Sequence, residues 1–144
     1  MIGAVGEDAF ADEALAGLRE AGVTLDIRRS SEPTGVALIE VDAAGETTIA
    51  VIPGANGTLA TVELPAHDAV LCQLEIPDVA VVSAWEGCTG LFCLNAAPAR
   101  PVAVDPDLVV ESARRNSRHL ARSLGRSLRR GARLESLGSK SLPP

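Results

Sequence analysis

AVLCQLEIP, residues Ala69–Pro77, is an apolar run that ends in a carboxylate, Glu75, just ahead of a proline. An apolar stretch of this length reads as a strand, Asp68 to Glu75, buried on both faces, and Pro77 closes it because a proline has no N–H to give a ladder. The pattern then repeats: Pro77–Glu86 reads as a weak helix, Leu91–Asn95 (LFCLN) as a second apolar strand, and Asp107–Val110 as the start of a third. Strands buried on both faces and separated by helices imply a parallel sheet. In such sheets ligands gather beyond the carboxyl ends of the strands, where Glu75 and Asn95 both fall. Burying the Glu75 charge alone would be costly, so a polar group is expected to meet it.

Upstream, the same α/β grammar holds. Met1–Val5 reads as the end of a strand, Gly6 as a turn, and Glu7 and Asp8 as the first turn of a helix, where negative charge suits the dipole. Phe10, Ala14 and Leu18 recur at four-residue spacing and predict the face that packs on the sheet, and Gly22 is a stop after Ala21. Thr34–Asp42 (TGVALIEVD) and Thr47–Ile52 (TTIAVI), joined by Ala43–Glu46 (AAGE), read as an antiparallel hairpin, which Pro53–Asn56 (PGAN) ends. The residues alone leave Glu75 open to capping the following helix, pairing with an arginine or contacting a ligand. They favour loop-backbone satisfaction for Asn95 and a turn for Gly54 and Asn56.

Composition narrows the class. A chain of 144 residues, 47% hydrophobic, can build a real core. Its aromatics are only Phe10, Phe92 and Trp85, with no Tyr, which favours an aliphatic α/β interior over a stacking platform for nucleic acid bases. No run of eighteen apolar residues and no signal-peptide pattern occurs, so the chain reads as cytoplasmic, without a membrane span. Cys72, Cys88 and Cys93 lack partners at zinc-site spacing and read as reduced, mostly buried thiols.

Charge divides the chain. Residues 1–110 hold 4 Arg against 17 acidic residues, a balance of −13, whereas residues 111–144 hold 8 Arg and 1 Lys against 2 Glu, a balance of +7. In that tail Arg114, Arg118, Arg122, Arg126 and Arg130 repeat every four residues, with Leu120, Leu124 and Leu128 almost opposite. Such a basic amphipathic helix could face RNA, anionic lipid or an acidic partner. Arginine repulsion at this spacing, together with Gly125 and Gly131, weakens it, and no base-reading motif supports a nucleic-acid binder. The tail is therefore expected to be helical or disordered.

Four blocks carry a resemblance: MIGAVGEDAFADEALAGLREAGV, PTGVALIEVDAAGETTIAVIPGAN, VLCQLEIP and LFCLNAAPA, in unbroken order over residues 1–110. In this order and spacing they resemble the central part of the ribokinase-like (PfkB) carbohydrate kinase family. The resemblance implies a partial ribokinase-like fold, a mainly parallel sheet with flanking helices over residues 1–110, with the hairpin of about residues 34–52 as a lid over the sugar and a homodimer surface. It also implies that Glu75 hydrogen-bonds a hydroxyl of a ribose-like sugar, and that ATP and Mg2+ serve the intact family. Residues 111–144 remain unmatched.

The family's catalytic base stands in a Gly-Ala-Gly-Asp motif, and the sequence contains no such motif, no Gly-Lys-Ser or Gly-Lys-Thr phosphate loop, and no evident partners for His67 and His119. Gly3 and Gly6 lack the spacing of a dinucleotide fingerprint. The expectation is a sugar-kinase fragment, inactive alone, retaining neither catalytic residues nor a cofactor or metal site. It begins inside its first strand and ends in a tail of the kind a reading-frame change produces. The alternative expectation is a non-catalytic interaction protein using its lid hairpin or basic tail.

Overall fold

Asp8 starts the first helix. Its backbone is extended, and its carboxylate accepts from the Ala11 amide at 3.2 Å, so α1 (Ala9–Glu20) begins on a satisfied donor. The helix ends in a Schellman arrangement: Gly22, at φ +71°, donates to the Arg19 carbonyl and Val23 to that of Leu18, both at 3.0 Å. This computed structural model of the chain describes residues 1–111 and 133–136. Two compact units emerge, Met1–Leu59 and Ala60–Pro144.

In the first unit, α1 connects two parallel strands, β1 (Ile2–Gly6) and β2 (Asp26–Ser30), paired from Ile2 with Asp26 to Gly6 with Ser30. Ala11 and Leu15 are buried with Val5, and Leu18, Leu25 and Ile27 pack around them. The inward face is thus Ala11, Leu15 and Leu18, not Phe10, Ala14 and Leu18: Phe10 is 58% exposed and Ala14 is exposed. Residues 11, 15 and 18 form one helical stripe, and the small Ala11 lets the helix approach the strand closely, which a phenylalanine there would prevent.

The hairpin is present as read. β3 (Val36–Val41) and β4 (Thr47–Ile52) are antiparallel, with Ile39 opposite Ile49. Its loop is tied by Asp42, whose Oδ1 accepts from the amides of Ala44 at 2.8 Å and Glu46 at 2.9 Å. Leu38, Ile39, Val41, Ile49, Val51 and Ile52 are all more than half exposed. At the stem, the Ala55 amide donates to the Pro33 carbonyl at 2.7 Å, and Gly54 has φ +51°. A Cβ on Gly54 would lie 2.3 Å from that same carbonyl oxygen, so only glycine fits. A 3-10 helix, Gly54–Thr58, follows, and Asn56 Oδ1 accepts from the Ala4 amide of β1 at 3.1 Å.

The second unit holds a four-stranded parallel sheet in the order β5 (Ala69–Gln73), β6 (Leu91–Asn95), β7 (Leu108–Glu111), β8 (Arg133–Ser136). Helix α2 (Asp78–Gly87) joins β5 to β6 and buries Val81 and Ala84 against Cys72, Leu74, Phe92, Leu94 and Val109. Ala96, Val102 and Val104 complete this core. The strands are not buried on both faces: Leu71 is 72% exposed and Leu91 46% exposed, because among the described residues cover comes to one face only. Tail residues Arg133–Ser136 form a strand beside β7, giving its edge a hydrogen-bonding neighbour where a helical or irregular tail was expected. The arginine-rich stretch 114–130 lies outside the described residues.

All three thiols are free; Cys72 is buried, which pushes its pKa up, and Cys88 and Cys93 are half-buried. Among the described residues no helix is long and apolar enough to cross a membrane.

Candidate functional site

The carboxyl ends of β5 and β6 lie side by side, with Gln73 paired to Asn95. Beyond Gln73 the side chains alternate: Leu74 is 2% exposed and anchors in the core, Glu75 is exposed, and Ile76 packs back against the core. The strand's inward–outward alternation therefore carries at least two residues past its end at Gln73 and turns the Glu75 carboxylate outward.

Main-chain bonds fix this turn. The Leu74 amide donates to the Ala97 carbonyl at 3.3 Å, and the Glu75 amide donates to the side-chain oxygen of Gln73. From the loop after β6, which includes a cis Ala97–Pro98 bond, Arg100 reaches across. Its Nε donates to the Leu74 carbonyl at 3.1 Å and its Nη2 to the Ile76 carbonyl at 2.8 Å, while Nη1 pairs with the Asp78 carboxylate. The Pro77 carbonyl accepts from Ala80 at 3.0 Å and Val81 at 3.2 Å, which opens α2.

The expected polar partner of Glu75 is absent from the described residues, for a simple reason: the side chain is exposed and its charge stays hydrated. Nor does Glu75 take either structural role among the described residues. The residue before α2 is Pro77, with no side-chain cap, and Asp78 supplies the first-turn acid. The arginine of this loop binds Asp78 and two carbonyls instead. Asn95 makes no side-chain hydrogen bond among the described residues, so it does not satisfy the loop backbone as expected. The end of the sheet thus offers two half-buried or exposed polar side chains, from β6 and from the turn after β5, whose hydrogen-bonding capacity is not spent on any described residue.

Two other polar groups are spent on structure. The Asp8 carboxylate accepts from the Thr34 amide and hydroxyl, both at 2.7 Å, besides Ala11. Thr34 Oγ1 in turn accepts from the Gly6 amide at 3.0 Å. The backbone and then the side-chain hydrogen bond of Thr34 are the main forces holding the Asp8 pKa below its ordinary value, and this carboxylate is a poor proton acceptor. The sequence signalled Asp8 as a helix-start acid but gave no sign that its partner would be Thr34, twenty-six residues on. His67 uses both ring nitrogens: Nδ1 donates to the Pro65 carbonyl at 2.7 Å and Nε2 accepts from the Thr89 amide at 3.2 Å. Among the described residues no group of three or more His, Cys, Asp or Glu side chains could hold a metal ion.

The family pattern described as pfkB family carbohydrate kinase matches residues 1–97. Ribokinase of Schizosaccharomyces pombe is 39% identical over 118 residues, covering 73% of this chain and 37% of that protein. Among solved structures, ribokinase from Thermotoga maritima superposes with a TM-score of 0.66 at 29% identity, over 76% of this chain and 40% of its own. Arabidopsis thaliana ribokinase, solved with ribose and ATP, gives a TM-score of 0.68 at 21% identity over 94% of this chain and 54% of its own, a likeness of fold. The chain spans well under two thirds of the length of each of these relatives.

Proposed function

The chain belongs to the pfkB family of carbohydrate kinases, and from that premise we propose that it supplies part of the sugar-holding side of a ribokinase-like kinase, with Glu75 as the acceptor for a sugar hydroxyl. The single observation that carries this reading is the state of Glu75. It is an exposed carboxylate at the carboxyl end of a parallel strand, fixed in its backbone and free of any partner among the described residues.

A carboxylate with both oxygens available accepts from vicinal hydroxyls at about 3 Å. Each such bond contributes about 1.5–3 kcal/mol, enough to orient a sugar and too little to drive phosphoryl transfer. The role of Glu75 is therefore orientation. The family reaction is phosphoryl transfer from ATP to a sugar such as ribose. The absence of a Gly-Ala-Gly-Asp motif from the sequence supports the view that this chain alone does not carry it out.

The hairpin of residues 34–52 fits the part of a lid. Ala37, Ile39 and Val41 share a face with Val51, Ile49 and Thr47, a nearly all-apolar surface that a second copy of the chain would cover as a dimer.

Ribose titration of the full chain, followed by amide chemical shifts, tests the Glu75 role. Glu75→Gln should weaken binding about tenfold or more. Thermal stability should not change, because the side chain has no hydrogen-bond or ion-pair partner among the described residues. Undiminished ribose binding in the variant, or no ribose-dependent shift at Glu75 in the wild type, would overturn it. Ribose 5-phosphate formed from ATP by the purified chain would overturn the view that it is inactive alone.

A further inference from the structure

We propose that Arg100 is the positioning residue for Glu75, holding its main chain so that the carboxylate projects from the end of the sheet. The inference rests on the reading of Glu75 as the sugar acceptor and adds the device that aims it.

Three observations carry it. First, the two carbonyls that Arg100 binds, on Leu74 and Ile76, are those immediately before and after Glu75. Nε and Nη2 form one edge of the planar guanidinium, so a single rigid group spans both carbonyls and fixes the residue between them. Secondly, the third guanidinium contact is the Asp78 carboxylate in the first turn of α2, which fixes the fork itself from the opposite side. Thirdly, no described residue holds Glu75 by its side chain, so among the described residues its direction is set by its backbone. The guanidinium, with 29% of its side chain exposed, is partly shielded from water, which strengthens these bonds relative to surface pairs.

A lysine cannot replace this arrangement. Its ammonium is one point of charge and cannot bridge two carbonyls and a carboxylate in a plane. Arg100→Lys therefore keeps the charge and loses the fork, and Asp78→Asn keeps the fork and weakens its anchor.

Site-resolved hydrogen exchange of the full chain distinguishes positioning from a general structural role. In Arg100→Lys the amides of Leu74, Glu75 and Ile76 should exchange at least about tenfold faster. Those of β6 should stay unchanged, since β6 is held by its own ladder. Asp78→Asn should show the same pattern more weakly. Unchanged exchange at these amides, or an equal rise throughout β5, β6 and α2, would overturn the proposal.

Ribose titration supplies the second readout. If ribose binding falls about tenfold in Arg100→Lys and in Glu75→Gln, and no further in the double variant, the two residues act as one unit. A double variant that loses the sum of both effects would show Arg100 acting independently, against the proposal. If Glu75→Gln leaves ribose binding unchanged while exchange rises locally in Arg100→Lys, the sugar reading fails and the backbone positioning stands.

Discussion

Thr34→Val replaces a hydroxyl by a methyl of nearly the same shape, at a residue only 6% exposed. The hydroxyl stands between two elements: it accepts from the Gly6 amide at the end of β1 and donates to Asp8 at the start of α1, thereby joining the base of the hairpin to both. Valine satisfies neither. The Gly6 amide is buried, so it is left without an acceptor at a cost of about 1–3 kcal/mol. At about 2 kcal/mol, and 4–8 °C per kcal/mol for a unit of this size, the midpoint for residues 1–59 should fall by roughly 8–16 °C. The only tryptophan, Trp85, lies in the other unit, so fluorescence does not report this change. Hydrogen exchange of the β1 and α1 amides, followed through a thermal series, does. Thr34→Ser supplies the control, since it keeps the hydroxyl and loses one methyl, worth about 0.8 kcal/mol. A valine variant as stable as the wild type, or a serine variant as unstable as valine, would refute the assignment of the stability to the hydroxyl.

The same cluster gives a pH dependence. Because hydrogen bonds from Thr34 depress the Asp8 pKa, the stabilisation is fully present above the ordinary value of 3.8 and is lost as pH falls through the lower, folded value. Asp8→Asn should therefore flatten the acid limb of an unfolding profile of the first unit; an acid limb identical to that of the wild type would contradict the linkage. For the hairpin, Ile49→Lys puts a charge at the centre of its more apolar face, opposite Ile39. Sedimentation should find a dimer for the wild type and a monomer for the variant, and a monomeric wild type at high concentration would end the dimer proposal.

Much of the architecture was legible because it is local. The hairpin announces itself through two β-rich runs and a polar turn, and LFCLN reads as Leu91–Asn95 to the residue. β2 was not legible: Asp26, Arg28 and Arg29 make DIRRS look like a loop, and only Ile27 and Ser30 are half-buried. The α1 face was misread by one position, since Phe10 outweighs Ala11 in hydrophobicity while the packing rewards the smaller residue. Glu75 was legible as a strand-end acid, but whether it would be exposed or buried depends on Arg100, twenty-five residues away, choosing Asp78 over it. Long-range polar choices of this kind leave no periodic trace.

The hairpin also sets an order of assembly. Its paired residues are 6 to 16 positions apart, from Val41 with Thr47 to Val36 with Ile52, whereas β1 with β2 pairs 24 apart and β5 with β6 22 apart. Closing the short loop costs less entropy, and hairpins form in about 1–10 μs, ahead of parallel pairs that wait on an intervening helix. Among these strand pairs the quickest to close is then the one with six large apolar side chains on its surface. Until another surface covers them, this early hairpin is the segment most exposed to wrong partners, and the concentration of chains during synthesis becomes a determinant of yield.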